Sequence, residues 1–586
     1  MFGSNQVRLH QMAVTTGRID ANGQEIIRRL DQDRKDGIRL SVFPQLALTG
    51  YLGAAEWSNP ELRAACAEWQ MKIIAATADG QAVIFGTARE WSGVMLNVAV
   101  AGANGKILAP HLSPLDFLPR YNPTPNAGRL EKFCFQSDAT LVAAKYNKPV
   151  SEFIRPFVFD GLTVAIGFDA APLNDLSADA LYIDLTSQTY TRDQSMFNTG
   201  ASCRNHFICG GFGIADTGHT LFTLVGGTGR VADGNVKTLP LLEPGSYTIG
   251  NDFELTDFDP APSARSCKET IGVIEFALKA QLKRLGINKV VIGASGGIDS
   301  ALSSAIYSRV LPPENLVLVN MPTHNNSQTT ISLARKLATA IGCNYTDIPI
   351  EESLQLTLRQ IDRHQCVVPA TQAPGTLLTL SPLAVENIQA RDRSGRVLSA
   401  IASAFGGVFT CNANKSECTV GYGTMYGDIS GFFCVLADLW KLEVWDLARC
   451  YNREIFGREV IPQGSIDIVP SAELSAAQNV NEGKGDPLVY PWHDRVFAAW
   501  TERSPILPPQ RILDLYDTGK LADEIGYNGD PKRLFPDRSS LAADIDRYWK
   551  LFNGLARAKR LQAPPVLSLK SSSFGFDLGA AQAVGR

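Results

Sequence analysis

The 586-residue chain is too long for a single hydrophobic core and implies two or more domains. Its 55 basic and 59 acidic residues leave a net charge of −4, so no nucleic-acid-binding surface is expected. It has no eighteen-residue apolar run, its start MFGSNQVRLHQMAV lacks the basic and apolar regions of a signal peptide, and its 11 cysteines form no CxxC pair. The expectation is a protein of the cytoplasm with no membrane partner, its cysteines being buried thiols.

The first ~255 residues alternate helix and strand patterns. GQEIIRRLDQDRKDG (23–37) has Ile and Leu at helical spacing, and IRLSVFP (38–44) reads as an apolar strand. QAVIFGT (81–87), NVAVAG (97–102), TVAIGF (163–168), ALYIDL (180–185) and HTLFTLV (219–225) are further strands. The segment 244–266 is rich in Pro, Gly, Asp and Ser and reads as a linker. From Cys267 a helix leads into KVVIG and a second α/β alternation, in which a parallel sheet would place its ligand at the carboxyl ends of the strands.

The stretch KVVIGASGGIDS (289–300) is a short strand, a Gly/Ser loop and the start of an Ala-rich helix. Such a turn aims backbone N–H groups and a helix N-terminus at an anion. Gly296 and Gly297 permit close approach, Ser295 and Ser300 add hydroxyls, and Asp299 is placed to hold a metal. The loop lacks the lysine of G-x-x-x-x-G-K-[ST] and is not the ordinary P-loop. Its order, Ser-Gly-Gly-x-Asp-Ser, is that of the pyrophosphate loop in enzymes that cleave ATP to AMP and pyrophosphate. Further on, VENIQARDR (385–393) contains Glu386, Gln389 and Arg391. FTCNANKSECTVGYGTMYGD (409–428) contains Lys415, Glu417, Thr424 and Asp428, and Lys441 follows. Carboxylates for Mg2+ and cations for phosphate charge are what adenylyl transfer requires.

These stretches, with NMPTHNNSQTT, PSAEL (470–474), GKGDPLVYPWHD (483–494) and QAPPVLSLKSSSFGFD (562–577), resemble the two-domain, glutamine-dependent type of NAD synthetase. The resemblance implies a nitrilase-like α-β-β-α sandwich over 1–258. It further implies a doubly wound, parallel-sheet ATP-pyrophosphatase domain over 259–586. The implied reaction is ATP-dependent amidation of deamido-NAD through an adenylated intermediate, releasing AMP and pyrophosphate. By the same resemblance, Ser295, Gly296, Gly297, Asp299 and Ser300 form the pyrophosphate loop, and Asp299 and Glu417 hold Mg2+. Arg391 and Thr424 contact ATP, Asp428 contacts deamido-NAD, and Lys441 stabilises charge beside the adenylate. PSAEL to YPWHD corresponds to a closing loop. A homo-oligomer, from dimer to octamer, is expected by analogy.

The N-terminal half resembles its family in VRLHQMAV, LSVFPQLALTGY (40–51), LNVAV and TVAIGFD, but not in the three side chains a glutaminase needs. Where the family has a general base, a lysine and a nucleophilic cysteine, this chain has Gln45, Leu115 and Gly167; His111 is an alternative register for the lysine. Ammonia is therefore the expected nitrogen donor. Two alternatives stay open here: glutamine used through an atypical site (Ser187, Cys203 or Cys209) or a separate glutaminase, and an inactive nucleotide-binding scaffold or sensor.

Overall fold

The structure, a computed structural model, describes residues 6–52, 56–77, 80–91, 94–107, 156–168, 179–197, 205–216, 218–503 and 505–574. It divides into two compact units, Met1–Arg265 with Ser568–Ser571, and Ser266–Leu567 with Ser572–Arg586. Leu115 and Cys203 lie outside the described residues. Among the described residues no helix is long and apolar enough to cross a membrane.

The first unit is built on two sheets. Strands β1 (Val7–Gln11), β2 (Leu40–Val42), β3 (Ala82–Trp91), β4 (Val94–Ala103) and β5 (Lys106–Ile107) run in that order across one of them. Strands β6 (Phe157–Phe159), β7 (Leu162–Phe168), β8 (Leu181–Thr186), β9 (His206–Gly210), β10 (Gly229–Ala232) and β11 (Asn235–Thr238) are consecutive neighbours in the other. Alternate residues of both sheets meet in one core: Val7, Leu9, Leu40, Val42 and Ile84 from the first, and Val164, Ile166, Ile183, Leu185 and Cys209 from the second. That period-2 pattern is what the strand sequences carry. The opposite face of the first sheet is covered by α1 (Ile19–Lys35) and α2 (Pro60–Ala75), whose Ile26, Leu30, Ile73 and Ile74 pack on Phe43, Val83 and Phe85. The strand expected over 219–225 is present as Thr220–Val225, antiparallel to Phe212–Asp216.

Segment 244–266 is not a plain linker. Gly245–Thr248 (β12) pairs with β1, and Thr256–Phe258 (β13) pairs with β11, so this stretch adds an edge strand to each sheet. Edge positions tolerate the Gly, Asp and Pro content that argued for a linker.

The second unit opens with α3 (Cys267–Leu285), capped by Ser266, whose hydroxyl accepts from Glu269 N–H, and ended by Gly286 at φ +68°. Four parallel strands follow: β14 (Val290–Gly293), β15 (Leu316–Asn320), β16 (Asn344–Asp347) and β17 (Val408–Phe409), in the order β16-β15-β14-β17. Strand order reverses at β14, the switch point where a doubly wound sheet opens its ligand crevice. Helices α4 (Ile298–Val310) and α5 (Gln328–Ile341) connect the strands, and α6 (Pro382–Arg391), α7 (Lys415–Val420), α8 (Lys441–Cys450) and α9 (Tyr490–Thr501) carry the later motifs.

The expectation of thiols throughout fails at one pair. Cys267, at the start of α3, is disulfide-bonded to Cys450, at the end of α8, across 183 residues of sequence. Spacing alone could not show this, because the partners meet only when α3 packs beside α8. Closing so long a loop constrains the unfolded chain, so reduction should cost about 2–4 kcal/mol of stability. The melting temperature of the wild type should fall with reductant, while Cys267→Ser should melt lower and be insensitive to it. A wild type indifferent to reductant would show that the bond adds nothing.

Candidate active site

At the carboxyl end of β14 the chain turns through Ala294–Gly297 into α4. Gly296 has φ +86°, and a side chain there would collide with the Thr330 carbonyl in the first turn of α5. Only glycine meets both demands. Ser295 N–H donates to Ser300 Oγ at 3.2 Å, Ser300 Oγ donates to Gly297 O at 3.0 Å, and Ser465 Oγ donates to Gly296 O at 2.8 Å. The loop is therefore shaped before any ligand arrives. The N-cap of α4 is Gly297, which offers no capping side chain, so the helix presents its N-terminus to a cavity lined by Ser295, Gly297 and Ser300.

Across that cavity stands a compact charge cluster. Lys441, only 1% exposed, donates from Nζ to Asp299 Oδ2 at 2.5 Å and to Glu417 Oε1 at 2.9 Å, and lies 4.9 Å from the centre of the Tyr490 ring. Tyr490 Oη in turn donates to Asp486 Oδ2 at 2.8 Å and lies 3.3 Å from Glu417 Oε1. The lysine is held from behind. Its N–H donates to Ser416 Oγ, Ser416 Oγ donates to Asp494, and Asp494 also accepts from Leu442 N–H, pinning the first turn of α8.

Burial opposes the charge on Lys441, but the Asp299 and Glu417 carboxylates outweigh it and raise its pKa, so it is a fixed cation. Glu417 is the opposite case. Burial, with Asp299 and Asp486 nearby, outweighs the attraction of Lys441 and pushes it from 4.5 up to about 7. Burial also raises Asp486, whose Oδ1 is buried without a hydrogen-bond partner. Three carboxylates share one ammonium, and a hard divalent cation bound through oxygen would neutralise the excess. Asp299 and Glu417 on the cavity wall could supply two carboxylates to such a cation, while among the described residues no group of three or more His, Cys, Asp or Glu is placed to hold a metal ion by itself.

Asn414, which composition and spacing gave no reason to single out, holds Asp299 and caps the helix that carries Glu417. Fully buried, it donates from Nδ2 to Asp299 Oδ1 at 2.9 Å while its Oδ1 caps α7 by accepting from Glu417 N–H at 3.1 Å. Lys415 has a scaffolding place instead, buried between Asp438, Glu502 and the Ser572 carbonyl at 2.7, 2.7 and 2.9 Å.

Of the residues expected to touch nucleotide, Ser295, Gly297, Asp299, Ser300, Glu417, Asp428 and Lys441 line the cavity. Gly296, Arg391 and Thr424 do not. Arg391 is exposed and donates to Met425 O, and Thr424 supports Asp428, whose Oδ1 accepts its N–H at 2.7 Å. The cavity-lining guanidinium is Arg393, bonded to Met321 O and Asn326 Oδ1. It lies in a π-helical turn, Asp392–Leu398, whose wider repeat changes which side chain faces the crevice. Ile468–Leu474, Val480 and Asp486 line the same cavity, so part of the stretch expected as a closing loop, 470–494, stands on its wall.

In the first unit, Gln45 is 1% exposed, its Oε1 accepts from the Ser187 hydroxyl, and its Nε2 is buried without a partner. A side chain added at Gly167 would run into the hydroxyl of Tyr182, itself 1% exposed. Cys209 is a core residue. Its thiol donates to the His10 and Val42 carbonyls, and burial pushes its pKa up.

The raised Glu417 makes the cation-free protein pH-sensitive. A carboxyl that binds its proton more tightly when folded contributes stability present below pH 4.5 and lost as pH rises through about 7. The metal-free melting temperature should therefore be higher at pH 6 than at pH 8, and Glu417→Gln should narrow that gap. An unchanged gap would place the titration elsewhere.

The NAD synthase family matches residues 270–504. The glutamine-dependent NAD(+) synthetase of Acinetobacter baylyi is 26% identical over 588 residues, covering 94% of this chain and 99% of its own. That of Thermotoga maritima is 36% identical over 305 residues, 51% of this chain and 45% of its own. The crystal structure of a glutamine-dependent NAD(+) synthetase from Cytophaga hutchinsonii has the same fold, with a TM-score of 0.68 at 14% identity over 97% of this chain and 96% of that one. With a Gly/Ser-loop crevice at the switch point of one unit and a two-sheet sandwich in the other, this chain is similar to the NAD synthases over residues 270–504 and shares the fold of the Cytophaga hutchinsonii glutamine-dependent enzyme along nearly its whole length.

Proposed function

We propose that this chain makes NAD by ATP-dependent amidation of deamido-NAD and takes free ammonia, rather than glutamine, as its nitrogen donor. A carboxylate is a poor electrophile because it is anionic and would have to expel oxide. Joining AMP to the nicotinate carboxylate supplies a leaving group, and ammonia then attacks the acyl carbon to give NAD and AMP. In this reading the Ser295–Ser300 loop and the N-terminus of α4 bind the departing pyrophosphate. Mg2+ held by Asp299 and Glu417 would offset charge on the phosphate oxygens. Lys441, a permanent cation one hydrogen bond from both carboxylates, stabilises negative charge beside the adenylate. Arg393 adds a second cation on the cavity wall, and Asp428 is placed to contact deamido-NAD. The closing segment excludes water, which would waste the adenylate.

The observation that carries the choice of donor is Tyr182 in the space beside Gly167. With no nucleophile at 167 and an amide at 45, neither the covalent step nor its proton transfer is available. Ser187 does meet Gln45, but an amide oxygen cannot take the serine proton.

NAD formation with saturating ammonium chloride should exceed that with glutamine by at least about 10²-fold, the worth of a general base alone. The double variant Gln45→Glu, Gly167→Cys should stay inactive with glutamine, because Tyr182 still fills the site. Glutamine supporting turnover at the ammonium rate, with glutamate released in step, overturns the assignment.

A further inference from the structure

We infer that Glu473 is a positioning residue that latches the closing segment onto the first turn of α5, and so keeps water from the activated acyl group. The inference rests on the reading above, in which an adenylate forms in this cavity. Glu473 is 3% exposed and lines the cavity. Its Oε1 accepts from Ser327 N–H at 3.1 Å, and its Oε2 accepts from Thr330 Oγ1 at 2.6 Å. A carboxylate at this end of a fourteen-residue helix is favoured by unpaired N–H groups and the helix dipole together.

Two further features mark the contact as built. Glu473 has φ +47°, a left-handed conformation that costs a non-glycine residue free energy and persists only when its surroundings hold it. Neighbouring bonds pull the same way. Leu474 O accepts from Asn325 Nδ2 at 3.1 Å and Gln389 Nε2 at 2.8 Å, and Pro470 O accepts from Asp486 N–H at 2.8 Å. The Thr330 that receives the latch is also the residue whose carbonyl packs against Gly296. Closure is thereby registered on the loop proposed to bind pyrophosphate, so the segment shuts over the nucleotide and not at an arbitrary place.

When the segment opens, water can replace ammonia. It attacks the acyl carbon, the acyl–phosphate bond breaks, and the products are the original carboxylate and AMP, with protons released. Pyrophosphate has by then left, so each such event consumes ATP without making NAD.

The test is the ratio of pyrophosphate released to NAD formed, at fixed sub-saturating ammonium, in wild type, Glu473→Gln and Glu473→Gly. Glycine removes the carboxylate while accepting the positive φ, and glutamine keeps its volume without its charge. Losing a charge-assisted hydrogen bond should raise the open population about tenfold. The ratio should be near one in the wild type and rise severalfold in both variants, with melting temperatures little changed. Amide exchange over 468–486 should quicken in the variants, with exchange in β14 and β15 unaltered. A ratio that stays constant while both products fall together overturns the latch, as does unchanged exchange. A wild type that releases neither product refutes the synthetase reading instead, and the exchange data still decide whether Glu473 holds the segment.

Discussion

A single buried ammonium shared by two carboxylates organises the catalytic unit. Lys441 joins residues from three stretches of chain, since Asp299 begins the helix after the nucleotide loop, Glu417 sits on α7, and Lys441 opens α8. Burying any one of these charges alone would be strongly unfavourable. Together they are tolerable, yet they remain one partner short, because Asp486 lies in the same patch with its own carboxylate only half satisfied. That shortfall is functional in the reading proposed. A site balanced on its own would have no reason to take up a cation with its nucleotide, whereas this one gains by doing so.

Around the cluster the fold supplies rigidity rather than further charge. Asn414 holds one oxygen of Asp299 and at the same time caps the helix carrying Glu417. Asp494, pushed up to about 6 by burial, anchors both Ser416 and the start of α8. Lys415 is buried as deeply as Lys441, but its partners Asp438 and Glu502 leave it no role beyond holding α7 in place. Burial alone therefore does not separate Lys441 from Lys415. What differs is access: the partners of Lys441 face the cavity, while Asp438 and Glu502 are not among the residues lining it.

The local parts of this arrangement were legible in the sequence. A strand, a Gly/Ser turn and a helix are contiguous, so KVVIGASGGIDS declares its shape. The sheets of the first unit were readable for the same reason, since alternation along a strand is a property of neighbours. What was missed depends on residues distant in the chain or on backbone irregularity. Arg393 faces the cavity because of a π-helical turn that no 3.6-residue pattern anticipates. Asn414 and Glu473 are short-range ordinary in sequence and gain meaning only from Asp299 and Thr330, over a hundred residues away. The Cys267–Cys450 bond and the edge strands within 244–266 are also set by partners elsewhere in the chain.

On the proposed reading the first unit lacks the groups a glutaminase needs, which raises the question of how it still folds. Its core answers it. The residues that join the two sheets, such as Leu9, Val42, Ile84, Ile166 and Ile183, are separate from Gln45 and Gly167. Active sites commonly store strain and unsatisfied polarity, so replacing their members is seldom destabilising and often the reverse. Exchanging a cysteine for glycine would ordinarily leave a cavity, which is costly in a close-packed interior. Here the Tyr182 side chain occupies the volume beside Gly167, so no such cavity is left. A cysteine placed at 167 would meet the phenol of Tyr182 unless that side chain moved. On the proposed reading, the unit is held in its present state by packing, and selection against glutamine hydrolysis need not be invoked.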